Sequence, residues 1–488
     1  MKKAGISVVK EPLKVSARVL KAPQIRYLNG NLFPEPNGKW RLPKHAKYEI
    51  GATLKRWLGI FLIVPNERMH FKEFVAFVKR FYEECGIRGL QIDEPYDLRQ
   101  VVCDVENIEA AFRRARKENC QFILFGHSDR DTKFHSFIKA MERKYEVITQ
   151  CVKTKTIYNV MEQSPVSLEN IVAKANVKLG GLNHSVVLAD FPFDKNVLFV
   201  GLGMNHPGVS NPHEETNPSA RAQPQTAGTA FPSNVSVLGF CANDGAIPNE
   251  FIGNFFFSPV HRDEKLSVLD KLLEEVFERF HRNRQCAPTR IILFRSGCDE
   301  GAYRSVLKYE MPIITAICEN YAPGAPVSVI IPSKLQQVRF FKQNIDSQDR
   351  SDVQNIRPGT VVDGNVTSSA FCEYYSNSHL ALQGTAKTPK YTILYSSEKE
   401  VNLDLFERWT NALCYDFQIV TSPTSVPAPV YIAQRYAERG RQIWNTFSSS
   451  NDANLDGNIS NINGQNGLGA ARSWFKWQWF RWKWFQWL

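Results

Sequence analysis

Short, uninterrupted apolar runs set between helical patterns constrain this chain most. Leu58-Gly59-Ile60-Phe61-Leu62-Ile63-Val64 carries no polar side chain. A strand covered on both faces needs such a run, whereas a strand with one wet face alternates. Residues 71–85 then place Phe74, Phe77, Val78 and Phe81 on one face of a helix. Gln121-Phe122-Ile123-Leu124-Phe125-Gly126 repeats the strand pattern, and a polar loop and a helix from about Lys133 follow. Strands alternating with helices imply parallel strands joined by crossovers, so this stretch reads as a small doubly wound domain ending near residue 190.

A second α/β unit opens at Asn196-Val197-Leu198-Phe199-Val200-Gly201. Strands are predicted near 235–241 and 251–257, then a helix over about 263–282 and a strand at 290–295. A helix from Gly301 and a strand at 327–331 come next. The domain reading is 1–50 as a basic, proline-rich linker and lead-in segment, 51–190, 191–447, and 448–488 as a low-complexity tail. Residues 208–234 and 448–470 have the composition of disordered chain. From Trp474 the sequence repeats every five residues, cationic and Trp-rich. Such a segment has the composition of a peptide at a membrane interface, but the preferred reading is a repetitive coding tract or a mis-predicted last exon.

The 488 residues have room for two or three domains, and 43% hydrophobic with 22% charged residues is globular composition. A net charge of +11 fits a polyanionic partner. Ten cysteines lie scattered without a C-x-x-C pair, which argues for reduced thiols and against structural zinc. There is no signal-peptide pattern and no membrane-length apolar run, so the expected residence is cytoplasmic or nuclear, not secreted.

Chemistry concentrates in Lys174-Ala175-Asn176-Val177-Lys178-Leu179-Gly180-Gly181. Lysines at i and i+4 share a helix face, and the Gly-Gly pair ends that helix. Two fixed ammonium groups beside exposed N–H groups suit a terminal phosphate. His135 and Lys139 repeat the i, i+4 spacing, and so do Tyr431, Arg435 and Arg439.

With Val147-Ile148-Thr149-Gln150-Cys151-Val152 and Val426-Pro427-Ala428-Pro429-Val430-Tyr431, these words resemble the C-terminal half of an Argonaute over about residues 15–445. The resemblance implies a Rossmann-like MID domain, which grips a guide RNA's 5′ end, followed by an RNase H-like PIWI domain. The predicted element order of the second unit agrees with the latter. By resemblance, the 5′-phosphate-binding set is His135, Lys139, Gln150, Lys174, Lys178, Ser425, Tyr431 and Arg439. The family most often has a stacking Tyr where His135 stands; with His there, this chain resembles the nematode-specific Argonautes that bind secondary siRNAs. That suggests guides with a 5′ triphosphate. The loop Gly126-His127-Ser128-Asp129-Arg130-Asp131 would face the first guide base, and Lys387 would line the backbone channel.

Slicing members hold two divalent ions with clustered carboxylates. The matching positions here are Gly203, Glu264, Ser296 and Gln434, so one carboxylate of four remains and no slicing is expected. Asp244, Asp263 and Asp299 are the nearby acids that could substitute, with Asp299 more simply a helix cap. The expected function is small-RNA-guided gene silencing without cutting. The partners would be a guide RNA, complementary target RNA and unspecified silencing proteins, with no membrane unless the tail is functional. No cofactor is required on this reading, with Mg²⁺ at the guide phosphate left open. The alternatives are an endoribonuclease using displaced carboxylates, and a truncated Argonaute-like module that binds no RNA.

Overall fold

The apolar run at 58–64 forms the strand Trp57–Ile63, buried along nearly its whole length. It pairs in parallel with Asp97–Val102 on one side and Phe122–His127 on the other, and Ile148–Lys153 completes a four-stranded sheet. The computed structural model describes residues 5, 9, 11–129, 133–162, 165–190, 193–206, 235–259, 268–346 and 348–448. Glu264, Asp263, Arg130, Asp131, the segment 208–234 and the tail from 449 lie outside them. Helices Phe71–Ile87, Val105–Lys117, Lys133–Tyr145 and Pro165–Lys178 accompany the sheet. Phe74, Phe77, Val78 and Phe81 of the first of these are buried, as their spacing predicts.

The second unit is built on a sheet of nine strands among the described residues. Its RNase H-like portion runs Ile252–Pro259, Val235–Ala242, Val197–Asn205, Arg290–Arg295, Val327–Ser333. The first three are an antiparallel meander, and Arg290–Arg295 is parallel to both of its neighbours. The helix between meander and parallel strand is Leu269–Arg284, starting later than residue 263. Beyond Val327–Ser333 the sheet continues through Lys390–Ser396, Cys372–Asn377 and Thr360–Val362 to Arg18–Val19. The lead-in segment thus contributes a strand to the far edge. Arg18 fixes it there by ion pairs with Asp363, Asp404 and the buried Glu407.

Two features weld the units. One apolar cluster contains Phe137, Ile138 and Met141 of the first unit with Val237, Phe255 and Ile443 of the second. A buried amide chain does the same in polar form. Asn176 accepts from Ala52 N at 2.8 Å and donates to Asn183 Oδ1 at 2.8 Å. Asn183 N donates to Gln418 Oε1 at 3.0 Å, and Asn183 Nδ2 donates to the Gln418 carbonyl at 2.7 Å. Buried amides satisfied on both ends fix one register of the two units.

The last helix, Ala428–Ser448, crosses the strands Val197–Asn205, Val235–Ala242 and Ile252–Pro259 and also meets Lys133–Tyr145. Its backbone rests directly on glycines. A Cβ at Gly201 would lie 2.3 Å from the Pro429 carbonyl, and one at Gly239 would lie 2.0 Å from the Ala433 carbonyl oxygen. A methyl group there forces the helix off the sheet. Gly239→Ala should destabilise the protein by about 1–3 kcal/mol, while Gly364→Ala, with open space around it, should not. Thermal unfolding of the two variants beside the parent checks this.

Candidate functional site

Ile148–Lys153 is the edge strand of the first sheet. The helix before it carries His135 and Lys139, and the helix Pro165–Lys178 carries Lys174 and Lys178. Arg439 reaches the same place from Ala428–Ser448, across the seam. Mutual perturbation shows how close these groups are. Burial, then the charges of Lys139, Arg439, His127 and Lys178, push the His135 imidazole down to about 3. Burial and then Lys139 hold Lys178 well below the usual lysine range, with Lys174 and Arg439 adding to the effect. Lys174 is lowered by burial, Lys139 and Arg439. Crowded cations of this kind are relieved when an anion arrives. Among the described residues, His135, Lys174 and Arg439 show no hydrogen-bond partner.

Lys139 is different. Its side chain is 2% exposed. Its ammonium donates to Glu142 Oε2 at 2.6 Å, Thr149 Oγ1 at 2.7 Å and the Thr149 carbonyl at 3.1 Å. Lys178 donates to the same carbonyl at 2.5 Å. Burial alone would raise the Glu142 carboxyl, but Lys139, Lys178 and Arg439 outweigh it and hold it at about 2. Sequence reasoning missed Glu142 and Thr149. The signal for Glu142 was its i, i+3 spacing from Lys139.

Three of the eight predicted residues lie otherwise. Gln150 is buried, and its Nε2 donates to the Ile171 carbonyl at 2.8 Å. Its Oε1 is buried without a partner, and an acceptor there cannot serve a phosphate. Ser425 accepts from Lys334 Nζ at 2.9 Å, and Arg435 donates to Tyr431 Oη at 2.9 Å. Burial, then Lys387 and Arg435, lower Lys334, so Ser425, Tyr431, Lys334, Lys387 and Arg435 make a second cationic group. Nothing in the sequence marked Lys334. Tyr431 and Arg439 are eight residues apart, about 12 Å along the helix axis, so one helix face serves both groups.

Below that helix the remaining motif positions meet. Gln434 Nε2 is 3.3 Å from Ser296 Oγ. A Cβ at Gly203 would lie 2.8 Å from the backbone N of Gln434. Gly203, Ser296 and Gln434 offer no carboxylate and do not fit a two-metal centre. Among the described residues, no group of three His, Cys, Asp or Glu side chains is placed to hold a metal ion. Asp244 is buried against Arg279 at 2.7 Å, and Asp299 accepts from Ala302 N at 3.1 Å as a helix cap. Both acids are thus engaged in structural contacts.

The Piwi domain family profile matches residues 121–445. The chain belongs to the Argonaute family. It is 32% identical to Argonaute protein wago-1 of Caenorhabditis elegans over 91% of its own length and 45% of that protein's. It is 29% identical to wago-4 of the same organism, over 92% of this chain and 47% of the relative. The chain thus spans about half the length of the curated relatives it matches. The C-terminal lobe of a budding yeast Argonaute superposes with a TM-score of 0.73 at 20% identity, covering 93% of this chain and 92% of that one. Kluyveromyces polysporus Argonaute with a guide RNA superposes at 0.71 and 19% identity, over 90% of this chain and 54% of that one. These likenesses establish the MID–PIWI fold for this Argonaute chain. No helix among its described residues is long and apolar enough to cross a membrane.

The His135 pocket makes a pH prediction. The imidazole lies at about 3 in the folded chain against 6.5 when unperturbed. Between those values the unfolded chain holds the proton and the folded chain does not. The residue's contribution to stability is therefore intact above the unperturbed value and declines as pH falls toward the folded one. NMR of labelled, RNA-free protein should show His135 neutral down to pH ~5, and its protonation above that would contradict the assigned burial.

Proposed function

We propose that this Argonaute chain holds a small guide RNA by its 5′ phosphate and finds complementary transcripts without cutting them. The observation that carries the reading is the convergence of His135, Lys174, Lys178 and Arg439, with Lys139 behind them, at the seam of the two units. A cluster of this kind suits a dianionic terminal group, which accepts several charge-assisted hydrogen bonds at once. The second group, with Lys334 and Arg435, continues the cationic track along the same helix and suits the next backbone phosphates. His135 supports a guide with a 5′ triphosphate, because an imidazole carries its N–H in the ring itself, whereas the single donor of a tyrosine sits at the far tip of its ring. Mg²⁺ accompanying such a triphosphate would be held by the phosphate oxygens, since the carboxylate at the site, Glu142, is bonded to Lys139 and Thr149. The absence of acidic side chains at Gly203, Ser296 and Gln434 supports silencing through recruited proteins, in cytoplasm or nucleus, rather than through slicing.

Binding of short RNAs with 5′-triphosphate, 5′-monophosphate and 5′-hydroxyl ends tests this. The phosphorylated RNAs should bind more tightly. Lys174→Ala with Lys178→Ala should cost about tenfold or more in affinity and flatten the salt dependence by about 0.7 in log–log slope per lost contact. A complementary target should stay intact with Mg²⁺ or Mn²⁺. Equal affinity for all three ends would overturn the guide-end reading. Cleavage abolished by Glu264→Ala would restore the nuclease reading.

A further inference from the structure

Lys139 is the most buried cation of the pocket, and it is fully committed in the RNA-free protein. An ammonium has three donors. Here they go to Glu142 Oε2, Thr149 Oγ1 and the Thr149 carbonyl. Thr149 Oγ1 in turn donates to Glu142 Oε2 at 2.7 Å, closing a triangle. A guide phosphate therefore cannot reach Lys139 until one of these bonds opens. The neighbours do not share this constraint. Lys178 has one bond, to the Thr149 carbonyl, and Lys174 and Arg439 have none among the described residues.

Resting on the guide-end reading above, we infer that Glu142 is a latch: it stands in for the guide phosphate in the empty pocket and competes with it for Lys139. Two consequences of opposite sign follow. In the empty protein Glu142 offsets the repulsion among Lys139, Lys178 and Arg439, all of which act on it, so it stabilises the fold. Once the phosphate is present, the same carboxylate repels it and holds back one of its donors, so Glu142 weakens binding and speeds release. A residue that merely positions Lys139 behaves otherwise, because its loss impairs stability and binding together.

Glu142→Gln keeps the shape and removes the charge. The RNA-free variant should melt at a lower temperature than the parent. It should bind a 5′-monophosphorylated short RNA about tenfold more tightly, through slower dissociation. In a Lys139→Met background most of that gain should disappear, since the latch acts on Lys139. Thr149→Val, which opens the triangle without touching a charge, should change affinity in the same direction by less, and it stands as the second variant should Glu142→Gln fold poorly. Weaker or unchanged binding by Glu142→Gln would overturn the latch. So would a gain that persists undiminished without Lys139, which would reflect net charge alone. If the parent itself fails to prefer a 5′-phosphate over a 5′-hydroxyl end, the guide-end reading fails first and the latch goes with it.

Discussion

The contact between Ala428–Ser448 and the sheet beneath it is closer than side chains normally permit. Gly201, Gly203 and Gly239 make it possible, with Gly203 and Gly239 opposite each other in register. Every functional feature depends on that closeness. Tyr431 and Arg435 face the second cationic group, Gln434 meets Ser296 above Gly203, and Arg439 crosses the seam into the first pocket. A helix displaced by even one methyl diameter would alter all of these at once. Gly203, where the resemblance puts the first carboxylate of slicing members, therefore has a second significance. Its lack of a side chain also serves the packing, since any Cβ at Gly203 would press on the Gln434 backbone.

The cationic pocket at the seam shows how a protein tolerates crowded cations, one of which, Lys139, is fully buried. Like charges taken out of water are costly unless something compensates them. Here the compensation is local. Glu142 answers Lys139, and an edge-strand carbonyl, that of Thr149, answers Lys139 and Lys178 together. The remainder is left as lowered proton affinity on His135, Lys174 and Lys178. That residual tension is what an incoming anion relieves. The seam can hold it because the surrounding core is continuous, with Phe137 and Met141 packed among Val237, Phe255 and Ile443.

Much of this was legible in the residues, for physical reasons. Trp57–Ile63 and Phe122–His127 are covered on both faces, so their sequences are apolar but for His127 at the end of the second. Asp97–Val102 lies at the sheet's outer edge with exposed polar positions, and it leaves no such trace. The lysine pairs were visible because helical spacing is written in the sequence. Glu142 was not singled out, because a carboxylate near a lysine usually marks a solvated face. Gln150 and Ser425 were matched by resemblance, yet their partners, the Ile171 carbonyl and Lys334, are set by long-range packing that no local pattern encodes. Likewise, the sequence displays Gly203 but not the helix backbone lying on it.

The central claim is that the seam pocket grips the 5′ end of a guide. The most direct measurement is to purify the protein from its own cells and sequence the RNA that comes with it, with and without enzymatic removal of 5′ triphosphates before cloning. The account predicts a sharp length class of small RNAs that becomes clonable only after that treatment. A sharp class without treatment would keep the guide and contradict the role given to His135. Absence of any discrete small RNA would contradict the account as a whole.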